Sequence, residues 1–415
     1  MQKSENRRMC VALLLLTSFF FISTFVAATT NPFEEVEFRL LDHAEHALAF
    51  SQMQLEKMVE LTDDGSRFPN ETNAGGQWEF VQARNWVSGF FPGCLWYMYE
   101  YTEDEKWREY GDRWLTGLEE LKTHTGTHDL GFMVYNSFGN AYRITSEDQY
   151  REFVIETSES LMKRFHHGIG CIRSWGNIED MQQFMVIVDN MMNLEMLLWA
   201  SDNGGCKTWH HSARSHADVS ADIFIRDDGS TYHVVHFDPV SNAITHLRQH
   251  QGYSVDSTWS RGQAWAIYGY TVMYRKTGDR RYLKIAENLV NYYLSNLPED
   301  YIPYWDFDAG RILPDQKRDS SAATITASAL LELSTLVDCP KQRVHYFKAA
   351  ERMLESLCAP PYLAVGSDSQ AIVLKSVRSR MDARLPETKS HIWNEYYFIE
   401  ALLRYKNLSD KGAIK

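Results

Sequence analysis

The segment Tyr101-Thr-Glu-Asp-Glu-Lys-Trp107 is the most informative about the fold, because the same kind of turn recurs along the chain. It returns as Ile144-Thr-Ser-Glu-Asp-Gln-Tyr150 and as Lys276-Thr-Gly-Asp-Arg-Arg-Tyr282, with degenerate copies at Ala200-Ser-Asp-Asn203 and Leu336-Val-Asp-Cys-Pro340. At each copy an aromatic-rich stretch ends, a Thr or Asp supplies an N-cap, and an amphipathic stretch begins. The turns therefore indicate a repeated pair of unlike helices.

Between these turns the sequence predicts about twelve helical stretches. Those that end at a turn are apolar and aromatic and contain Gly89, Gly93 and Gly269, whereas those that begin there are charged on one side. Six pairs of an inner and an outer helix predict an all-α fold, an (α/α)6 barrel or six-hairpin toroid with a central cavity. The stretches lie near residues 34–62, 86–100, 105–123, 131–144, 147–166, 181–201, 204–224, 259–276, 279–296, 320–336, 341–358 and 390–407.

Three segments interrupt the helical pattern. Residues 225–239 contain an Asp-Gly turn followed by alternating residues, which predicts a small β-hairpin insertion. Residues 63–85 and 363–390 are polar loops rich in Gly, Asn and Asp. The second loop is interpreted as a solvated surface loop, or as one that contacts an anionic group through its cations Lys375, Arg378, Arg380 and Arg384.

The composition restricts the partners. The 415 residues carry 42 Lys and Arg against 55 Asp and Glu, a formal net charge of −13. Such acidity argues against nucleic acid or an anionic membrane surface as a partner. Aromatic residues make up 13% of the chain, with 12 Trp and 22 Tyr. This share suits a cleft that stacks planar or sugar-like ligands, although packing between helices accounts for most of the rings.

The N-terminus has the pattern of an export signal. An apolar run over residues 10–26 follows a positive region and is followed by small residues at 26–28; the basic residues are Lys3, Arg7 and Arg8. We expect residues 1–28 to be a signal peptide, or an uncleaved membrane anchor. Residues 29–415 are then expected to form a single barrel domain that is exported.

Two sequons fit a secretory route. The sequons begin at Asn70 and Asn407, and the sequence leaves open whether either is glycosylated. Beyond residue 28 the cysteines are widely spaced and form no Cys-x-x-Cys, so we expect no zinc site and at most one or two disulfides. They are Cys94, Cys171, Cys206, Cys339 and Cys358.

Asp189 is the most unusual polar residue of the sequence. Residues 184–199 around it are apolar nearly all round and predict a buried helix, on which Asn193 would share the face of Asp189. A buried aspartate is costly unless it is hydrogen-bonded, and desolvation raises its pKa toward values useful for proton transfer. Asp189 is therefore either a structural residue bonded to nearby backbone or a catalytic acid.

Asp129 is a second candidate. It stands in Gly126-Thr-His-Asp-Leu-Gly131, immediately before an apolar helix of the inner type. It could be a simple N-cap. Because the helix is an inner one, however, its first turn is expected to face the same cavity as Asp189. Two carboxylates that face one cavity are the usual arrangement for hydrolysis or protonation of a sugar.

Arg261 and Trp265 form a third candidate group. They are i,i+4 neighbours at the start of another inner helix. A guanidinium beside an indole binds a planar carboxylate by paired hydrogen bonds and stacking. The alternative is a salt bridge between Arg261 and Asp256 next to a core tryptophan.

Six strings occur in a characteristic order between about residues 75 and 405. They are Trp86-Val-Ser-Gly-Phe-Phe-Pro-Gly93, His128-Asp-Leu-Gly-Phe132, Asp189-Asn-Met-Met-Asn-Leu194, Ser260-Arg-Gly-Gln-Ala-Trp-Ala-Ile-Tyr-Gly269, Asp319-Ser-Ser-Ala-Ala323 and Tyr396-Tyr-Phe-Ile-Glu-Ala-Leu402. Several are long and unusual, and together they resemble the unsaturated glucuronyl hydrolases, glycoside hydrolase family 88. The family's (α/α)6 barrel agrees with the repeat of helix pairs.

The resemblance implies a specific reaction. The family acts on the 4,5-unsaturated uronic acid that polysaccharide lyases leave at the non-reducing end of an oligosaccharide. The C4=C5 vinyl ether is hydrated, and the resulting hemiketal collapses and releases the neighbouring sugar. By matching motifs, Asp189 would protonate C4 and then activate water toward C5. Asp129 would assist, holding substrate hydroxyls and the charge distribution.

The resemblance also implies a sugar-binding set, with no cofactor and no metal. Arg261 is expected near the uronate carboxylate, and His233 could instead be a hairpin residue bonded to Asp238. The partner is an unsaturated uronyl oligosaccharide, and the oligomeric state is left open. The implied set is Trp86, His128, Phe132, Trp175, His233, Gln251, Arg261 and Trp265.

Two departures leave the leaving sugar and any sulfate preference open. Asn394-Glu395 stands where the family usually has Gly-Asp, and the loop 363–390 is not recognisably matched. The alternatives are an unsaturated rhamnogalacturonyl hydrolase acting on pectic fragments, or a non-catalytic glycan-binding protein on the same barrel. The presence of both candidate carboxylates favours an enzyme. A metal-dependent barrel enzyme would need a ligand cluster, and His210-His211 is more simply a polar helix start.

Overall fold

The recurring turns are helix boundaries in the computed structural model, which describes residues 32–62, 64–313, 316–386 and 388–411. Asp104 accepts a hydrogen bond from Lys106 N at 3.1 Å and caps the helix that follows. Asp279 caps a later helix in the same way. Gly278 just before it has a φ of +68°, a left-handed conformation that ends the preceding helix without strain.

The described residues form thirteen α-helices. In chain order these are α1 (Pro32–Leu61), α2 (Phe90–Thr102), α3 (Glu105–Thr116), α4 (Asn140–Thr145), α5 (Asp148–Met162), α6 (Leu194–Asp202), α7 (Thr208–Phe224), α8 (Ser260–Thr277), α9 (Arg280–Ser295), α10 (Phe307–Ile312), α11 (Ser320–Leu336), α12 (Pro340–Leu357) and α13 (Ile392–Asp410). A π-helix, Gly131–Gly139, runs directly into α4. Shorter 3-10 segments lie at Glu119–Thr123, Val188–Asn193 and Asp382–Arg384.

The inner helices form a closed ring. Helix α2 packs on the π-helix, the π-helix on α6, α6 on α8, α8 on α11, α11 on α13, and α13 again on α2. Behind them pack the outer helices α3, α5, α7, α9 and α12, and α1 adds buried residues such as Leu48 and Leu55 to the core. This arrangement confirms the predicted (α/α)6 barrel.

Position in the ring explains why the two sets of helices differ in sequence. Helix α8 is surrounded by other helices, and every residue from Ser260 to Met273 is buried. At Gly269 a Cβ atom would lie 2.5 Å from the Cβ of Met191, so only glycine permits this close approach of α8 to the 3-10 segment Val188–Asn193. The outer helix α9 buries a single apolar face and leaves its charged residues toward solvent.

Three small sheets are formed by strands that lie between the helices in the described part of the chain. Strands β1 (Phe68–Thr72) and β2 (Trp78–Val81) pair within a predicted loop, and β3 (Phe165–His166) pairs with β4 (Cys171–Ile172). Strands β5 (Phe184–Ile187), β6 (Val234–Phe237) and β7 (Ile244–Arg248) form an antiparallel sheet in that order. The predicted hairpin over 225–239 is therefore misplaced, because the Asp-Gly turn closes only an isolated bridge between Ile225 and Thr231.

Two further expectations from the sequence are corrected. The helix predicted over 181–201 begins only at Leu194, because residues 184–187 pair with β6 instead. A continuous apolar run fits a buried strand as well as a buried helix, and the partner strand decides between them. The loop 363–390 is not a simple surface loop, since Ile372, Val373 and Val377 are buried.

By its internal contacts the chain divides into residues 1–38 and Arg39–Lys415, and the barrel lies in the second unit. The predicted signal segment, residues 1–28, lies outside the described residues. Within the described part of the chain no helix has the length and apolar character needed to cross a membrane. The five cysteines that the structure describes are all unpaired.

Candidate active site

The candidate residues gather at the end of the barrel where the inner helices begin. Asp129 lies two residues before the first residue of the π-helix, and Asp189 lies in the 3-10 segment that leads into α6. Arg261 and Trp265 stand in the first turns of α8. Because inner helices all run in one direction around such a ring, their first turns meet at one mouth, which carries the positive ends of the helix dipoles.

Asp189 is a buried acid, only 8% exposed. Its Oδ2 atom has no hydrogen-bond partner among the described residues and lies 3.6 Å from Nε2 of His233. Burial and then the nearby Asp129 carboxylate raise the pKa of Asp189 to about 7, against the opposing effects of Arg261 and the Trp265 indole. At neutral pH this carboxyl group can therefore either give or accept a proton.

His233 is held as a neutral ring. Its Nδ1 atom lies 2.6 Å from Oε1 of Gln249, whose Nε2 donates to the Ser254 carbonyl at 3.1 Å. Oε1 is therefore the accepting atom, so Nδ1 carries the hydrogen and Nε2 presents a lone pair toward Asp189. Burial lowers the pKa of His233 to about 3. A pairing with Asp238 is wrong, because that side chain accepts from backbone N–H groups of its own turn.

Asp129 is fixed by its neighbours rather than by a helix end. Its Oδ2 accepts a hydrogen bond from the Thr127 hydroxyl at 2.7 Å, and its Oδ1 lies 3.2 Å from Nε2 of His128. His128 is fully buried, and burial lowers its pKa. The π-helix has no side-chain cap, so the N-cap interpretation of Asp129 does not describe this structure.

Asn193 ties the two acidic segments together. Its Oδ1 accepts a hydrogen bond from the backbone N–H of Phe132 at 3.1 Å. At Gly131 an added Cβ would lie 2.6 Å from the Cα of Asn193, which shows how closely the segments approach. The expectation that Asn193 shares a helix face with Asp189 is wrong, because the segment between them is a 3-10 turn.

Aromatic rings form the walls of the mouth. Phe132 packs edge-on against Trp86, with ring centroids 5.6 Å apart, and against Trp265 at 5.0 Å. Trp86 and Trp175 are only partly buried and have faces available to a ligand, whereas Phe132 and Trp265 are buried behind them. Sequence reasoning missed Trp393, which lies 4.9 Å from Trp86 and precedes the Tyr-Tyr-Phe string.

The placement of Arg261 does not match either sequence interpretation. Its side chain is 1% exposed, and NH1 lies 2.9 Å from Oδ2 of Asp319. NH1 also donates to the Val377 carbonyl, and NH2 donates to the Arg378 carbonyl at 2.6 Å. Arg261 thus pairs with Asp319 rather than Asp256, and the structure encloses its guanidinium instead of exposing it to a substrate carboxylate.

Hydrogen bonds and ion pairs hold the loop 363–390 at the mouth. Gln251 donates through Nε2 to the Arg378 carbonyl at 3.0 Å, which places Gln251 between the loop and His233. The Arg378 side chain pairs with Glu71 at 2.9 Å, and Lys389 pairs with the same carboxylate. Two of the loop cations, Arg378 and Lys389, therefore form ion pairs that hold the loop in place, which the sequence alone did not show.

The unusual pair Asn394-Glu395 helps to fasten this loop. Glu395 is buried and accepts a hydrogen bond from the backbone N–H of Ile372 at 2.9 Å. Asn394 donates to the Ser320 hydroxyl at 2.8 Å. The departure from the family's Gly-Asp is thus accommodated beneath the loop.

A cavity of about 400 Å³ adjoins the cluster. Gln249, which holds His233, lies on its wall together with His250, whose ring is 5.0 Å from Trp175. Arg248 and Arg380 also line it, and neither forms a salt bridge with a carboxylate that the structure describes. The cluster therefore continues into a cationic space large enough for a second sugar.

Among the residues that the structure describes, no group of three or more His, Cys, Asp or Glu side chains could hold a metal ion. The groups available for chemistry at the mouth are carboxyl groups, histidines and aromatic rings. A proton-donating carboxyl group between aromatic walls, at one mouth of an (α/α)6 barrel, is the arrangement of enzymes that act on carbohydrates.

Comparison with known proteins narrows that class, although no protein-family model matches the chain. The unsaturated glucuronyl hydrolase of Formosa agariphila is 36% identical over 359 residues, which cover 86% of this chain and 88% of the relative. The unsaturated chondroitin disaccharide hydrolase of Streptococcus agalactiae is 30% identical over 387 residues, covering 92% and 96% of the two chains. The chain belongs to the unsaturated glucuronyl hydrolases, and it is a glycosidase.

Solved structures agree with this assignment. A crystal structure of an unsaturated glucuronyl hydrolase specific for heparin superposes with a TM-score of 0.83 at 36% identity, covering 89% of this chain and 98% of that chain. The enzyme of Bacillus sp. GL1, described as responsible for the degradation of glycosaminoglycan, superposes with a TM-score of 0.79 at 30% identity, covering 90% and 98%.

Proposed function

We propose that this enzyme removes the 4,5-unsaturated glucuronyl residue from the non-reducing end of lyase-generated oligosaccharides of the glycosaminoglycan type. The observation that carries the proposal is Asp189, a buried carboxyl group whose pKa is raised to about 7 at the mouth of the barrel. The two relatives described as acting on chondroitin disaccharide and on heparin support this class of substrate.

In the proposed mechanism Asp189 donates its proton to C4 of the vinyl ether. Positive charge then develops at C5 and the ring oxygen, beside the carboxylate that has just formed. That carboxylate takes a proton from a water molecule, whose oxygen bonds to C5. The hemiketal collapses, the ring opens, and the neighbouring sugar leaves with its hydroxyl group restored.

The neighbours of Asp189 maintain its proton-donating form. Asp129 disfavours a second negative charge nearby and so raises the pKa of Asp189. His233 is neutral and turns an accepting nitrogen toward the carboxyl group, which suits the protonated acid. Gln249 sets this orientation of the ring.

The cationic cavity supports an anionic leaving sugar. Arg248 and Arg380 stand on its wall without a carboxylate partner among the described residues, so a sulfate or carboxylate group would find charge there. Arg380→Ala should weaken hydrolysis of sulfated disaccharides more than of unsulfated ones. Arg384→Ala, an exposed arginine of the same loop that is not on the cavity wall, is the matched control.

Ultraviolet absorbance of the double bond tests the reaction. Unsaturated disaccharides from chondroitin, hyaluronan and heparin are incubated with the wild-type enzyme and with Asp189→Asn. We expect the absorbance to decline with wild type and to fall at least about 100-fold more slowly with the variant. A decline with unsaturated rhamnogalacturonyl substrates only would reassign the substrate to pectic fragments. No decline with any substrate would favour a glycan-binding protein.

We also infer that the protein is exported. The support is the predicted signal segment of residues 1–28 and the sequons at Asn70 and Asn407. Asn407 is exposed, whereas the Asn70 side chain accepts a hydrogen bond from Arg378 at 2.9 Å and would be the poorer glycan acceptor. Fractionation of the source cells, with mass analysis of the mature N-terminus, distinguishes a cleaved signal from a retained anchor.

A further inference from the structure

A second cavity, of about 440 Å³, lies at the opposite end of the barrel; we name it the rear cavity. All six inner helical segments reach it, most of them with their later turns. Its inner end is formed by Tyr396 and Tyr397, and the ring of Tyr397 lies 5.4 Å from Trp265 of the active-site mouth. A layer of aromatic rings therefore separates the rear cavity from Asp189.

The charges of the rear cavity are balanced. Arg143, Arg275 and Arg404 stand on its wall, and each is paired: Arg143 with Glu100 at 2.6 Å, Arg275 with Glu195 at 2.7 Å and Arg404 with Glu332 at 2.9 Å. The inner helices end around this space, and helix carboxyl ends carry partial negative charge. The rear cavity is therefore a poor site for an anion such as the uronate.

The wall nevertheless offers many hydrogen-bonding groups between flat rings. Tyr97 and Tyr268 both donate to the Glu400 carboxylate, at 2.9 and 3.0 Å. The Nδ2 atom of Asn136 is buried and has no hydrogen-bond partner among the described residues. The Tyr397 hydroxyl lies near it. Rings beside paired donors and acceptors suit a ligand that has apolar faces and neutral hydroxyl groups.

The position of a sequon agrees with such a ligand. Asn407 is exposed and lies on the rim of the rear cavity with Leu408. A sugar attached at Asn407 would begin at the opening of the cavity, and the first sugar of an N-linked glycan is a neutral amino sugar.

We infer that the rear cavity is a second carbohydrate site, distinct from the active site, that takes a neutral pyranose such as N-acetylglucosamine. The sugar is either free or attached to Asn407. This inference does not depend on the proposed hydrolysis. Neither Asp129 nor Asp189 lines the rear cavity, and the rear cavity shares no lining residue with the cationic cavity beside the active site.

Calorimetry or saturation-transfer NMR with free N-acetylglucosamine tests the inference on protein made in a host without N-glycosylation. We expect saturable binding with a Kd on the order of 1 mM, unchanged in Asp189→Asn. Thr335→Trp, an exposed position on the rim, should weaken binding at least about tenfold. Thr116→Trp is the matched control, because Thr116 is also an exposed threonine in the last turn of a helix but lies away from the cavity.

Each outcome decides the inference. Absence of saturable binding overturns it, as does binding that survives Thr335→Trp but disappears when Trp175→Ala alters the active-site mouth. Tighter binding of inorganic sulfate than of the sugar at this site also overturns it. Protein from a glycosylating host separates the two sources: loss of free-sugar binding that Asn407→Gln restores indicates an attached sugar, and equal binding in both preparations indicates a free one. Hydrolysis and unfolding by urea, measured on Thr335→Trp, show that the variant is folded.

Discussion

Replacement of Asp189 by asparagine should make the protein more stable while it removes the proposed acid. The effect is measured as a change in the free energy of unfolding. Between about pH 4 and pH 7 the folded protein holds a proton on Asp189 that the unfolded chain has lost. The pKa of Asp189 is raised from 3.8 to about 7 in the folded protein. Asparagine of nearly the same shape carries no charge at any pH, so Asp189→Asn removes the cost of ionising this buried group.

The magnitude and the sign follow from that shift. A difference of about 3 pKa units corresponds to about 4 kcal/mol. Because the folded pKa lies above the unfolded one, the contribution of Asp189 to stability is present below pH 4 and is lost as the pH rises to 7. Relative to wild type, Asp189→Asn should therefore gain about 2 kcal/mol at pH 5 and about 4 kcal/mol at pH 8.

Urea unfolding followed by tryptophan fluorescence at pH 5 and pH 8 measures this difference. Asp279→Asn is a control of opposite sign. Hydrogen bonds from Arg281 lower the pKa of Asp279 to about 2, so this variant should lose stability at neutral pH. Equal stability of Asp189→Asn and wild type at pH 8, or a gain that does not grow between pH 5 and pH 8, would refute the argument that Asp189 is a neutralised buried acid.

Four further predictions concern the same mouth. The rate should decline above about pH 7, and Asp129→Asn should move this decline to lower pH by removing a like charge, which a pH–rate profile measures; an unmoved decline would contradict the coupling. Gln249→Leu should lower kcat about tenfold by freeing the His233 ring, with unchanged urea unfolding; an unchanged kcat would remove Gln249 from this role. Arg261→Ala should cost about 3–5 kcal/mol in urea unfolding by leaving Asp319 buried and unpaired, and a cost below about 1 kcal/mol would disprove that pairing. EDTA should leave the rate unchanged, since no step of the mechanism uses a metal, and a loss restored by added metal would oppose the mechanism.

The mouth shows how stability and chemistry are coupled in this barrel. Asp189, Asp129 and Arg261 are all almost fully buried, and Oδ2 of Asp189 is a buried carboxyl oxygen without a hydrogen-bond partner among the described residues. Oδ2 of Asp129 accepts a hydrogen bond from the Thr127 hydroxyl, and the charge of Arg261 is paired with Asp319. The cost of burial therefore falls mainly on the one group from which the reaction needs a proton, as is common at functional sites.

Several elements followed directly from local sequence. The turns at 101–107 and 276–282 have the predicted caps, because Asp104 and Asp279 bond to backbone N–H groups only two residues away. The difference between inner and outer helices was also visible, since a helix enclosed on all sides needs an apolar surface all round. These features depend on near neighbours in the chain.

Other features could not be predicted because they depend on partners that are distant in sequence. The run at 184–193 became a strand and a 3-10 turn only because β6 was available to pair with it. Arg261 forms its ion pair with Asp319, 58 residues away, rather than with the nearby Asp256. Gln249 and Trp393 had no distinguishing local pattern, and the loop 363–390 was interpreted as polar because its contacts with Glu71 and Glu395 are long-range.

The repeat of helix pairs, the two candidate carboxylates and the resemblance to a family could all be predicted from the amino-acid sequence. Caps, periodicity and ordered motifs are local properties that the chain carries before it folds. Which of those groups meet, and whether each is charged, depends on the folded arrangement of the chain. Burial and neighbouring charges set the pKa of Asp189, and the loop carbonyls enclose Arg261. Both effects arise only when distant segments meet at one mouth, because Asp129 is 60 residues from Asp189 and Val377 is 116 residues from Arg261.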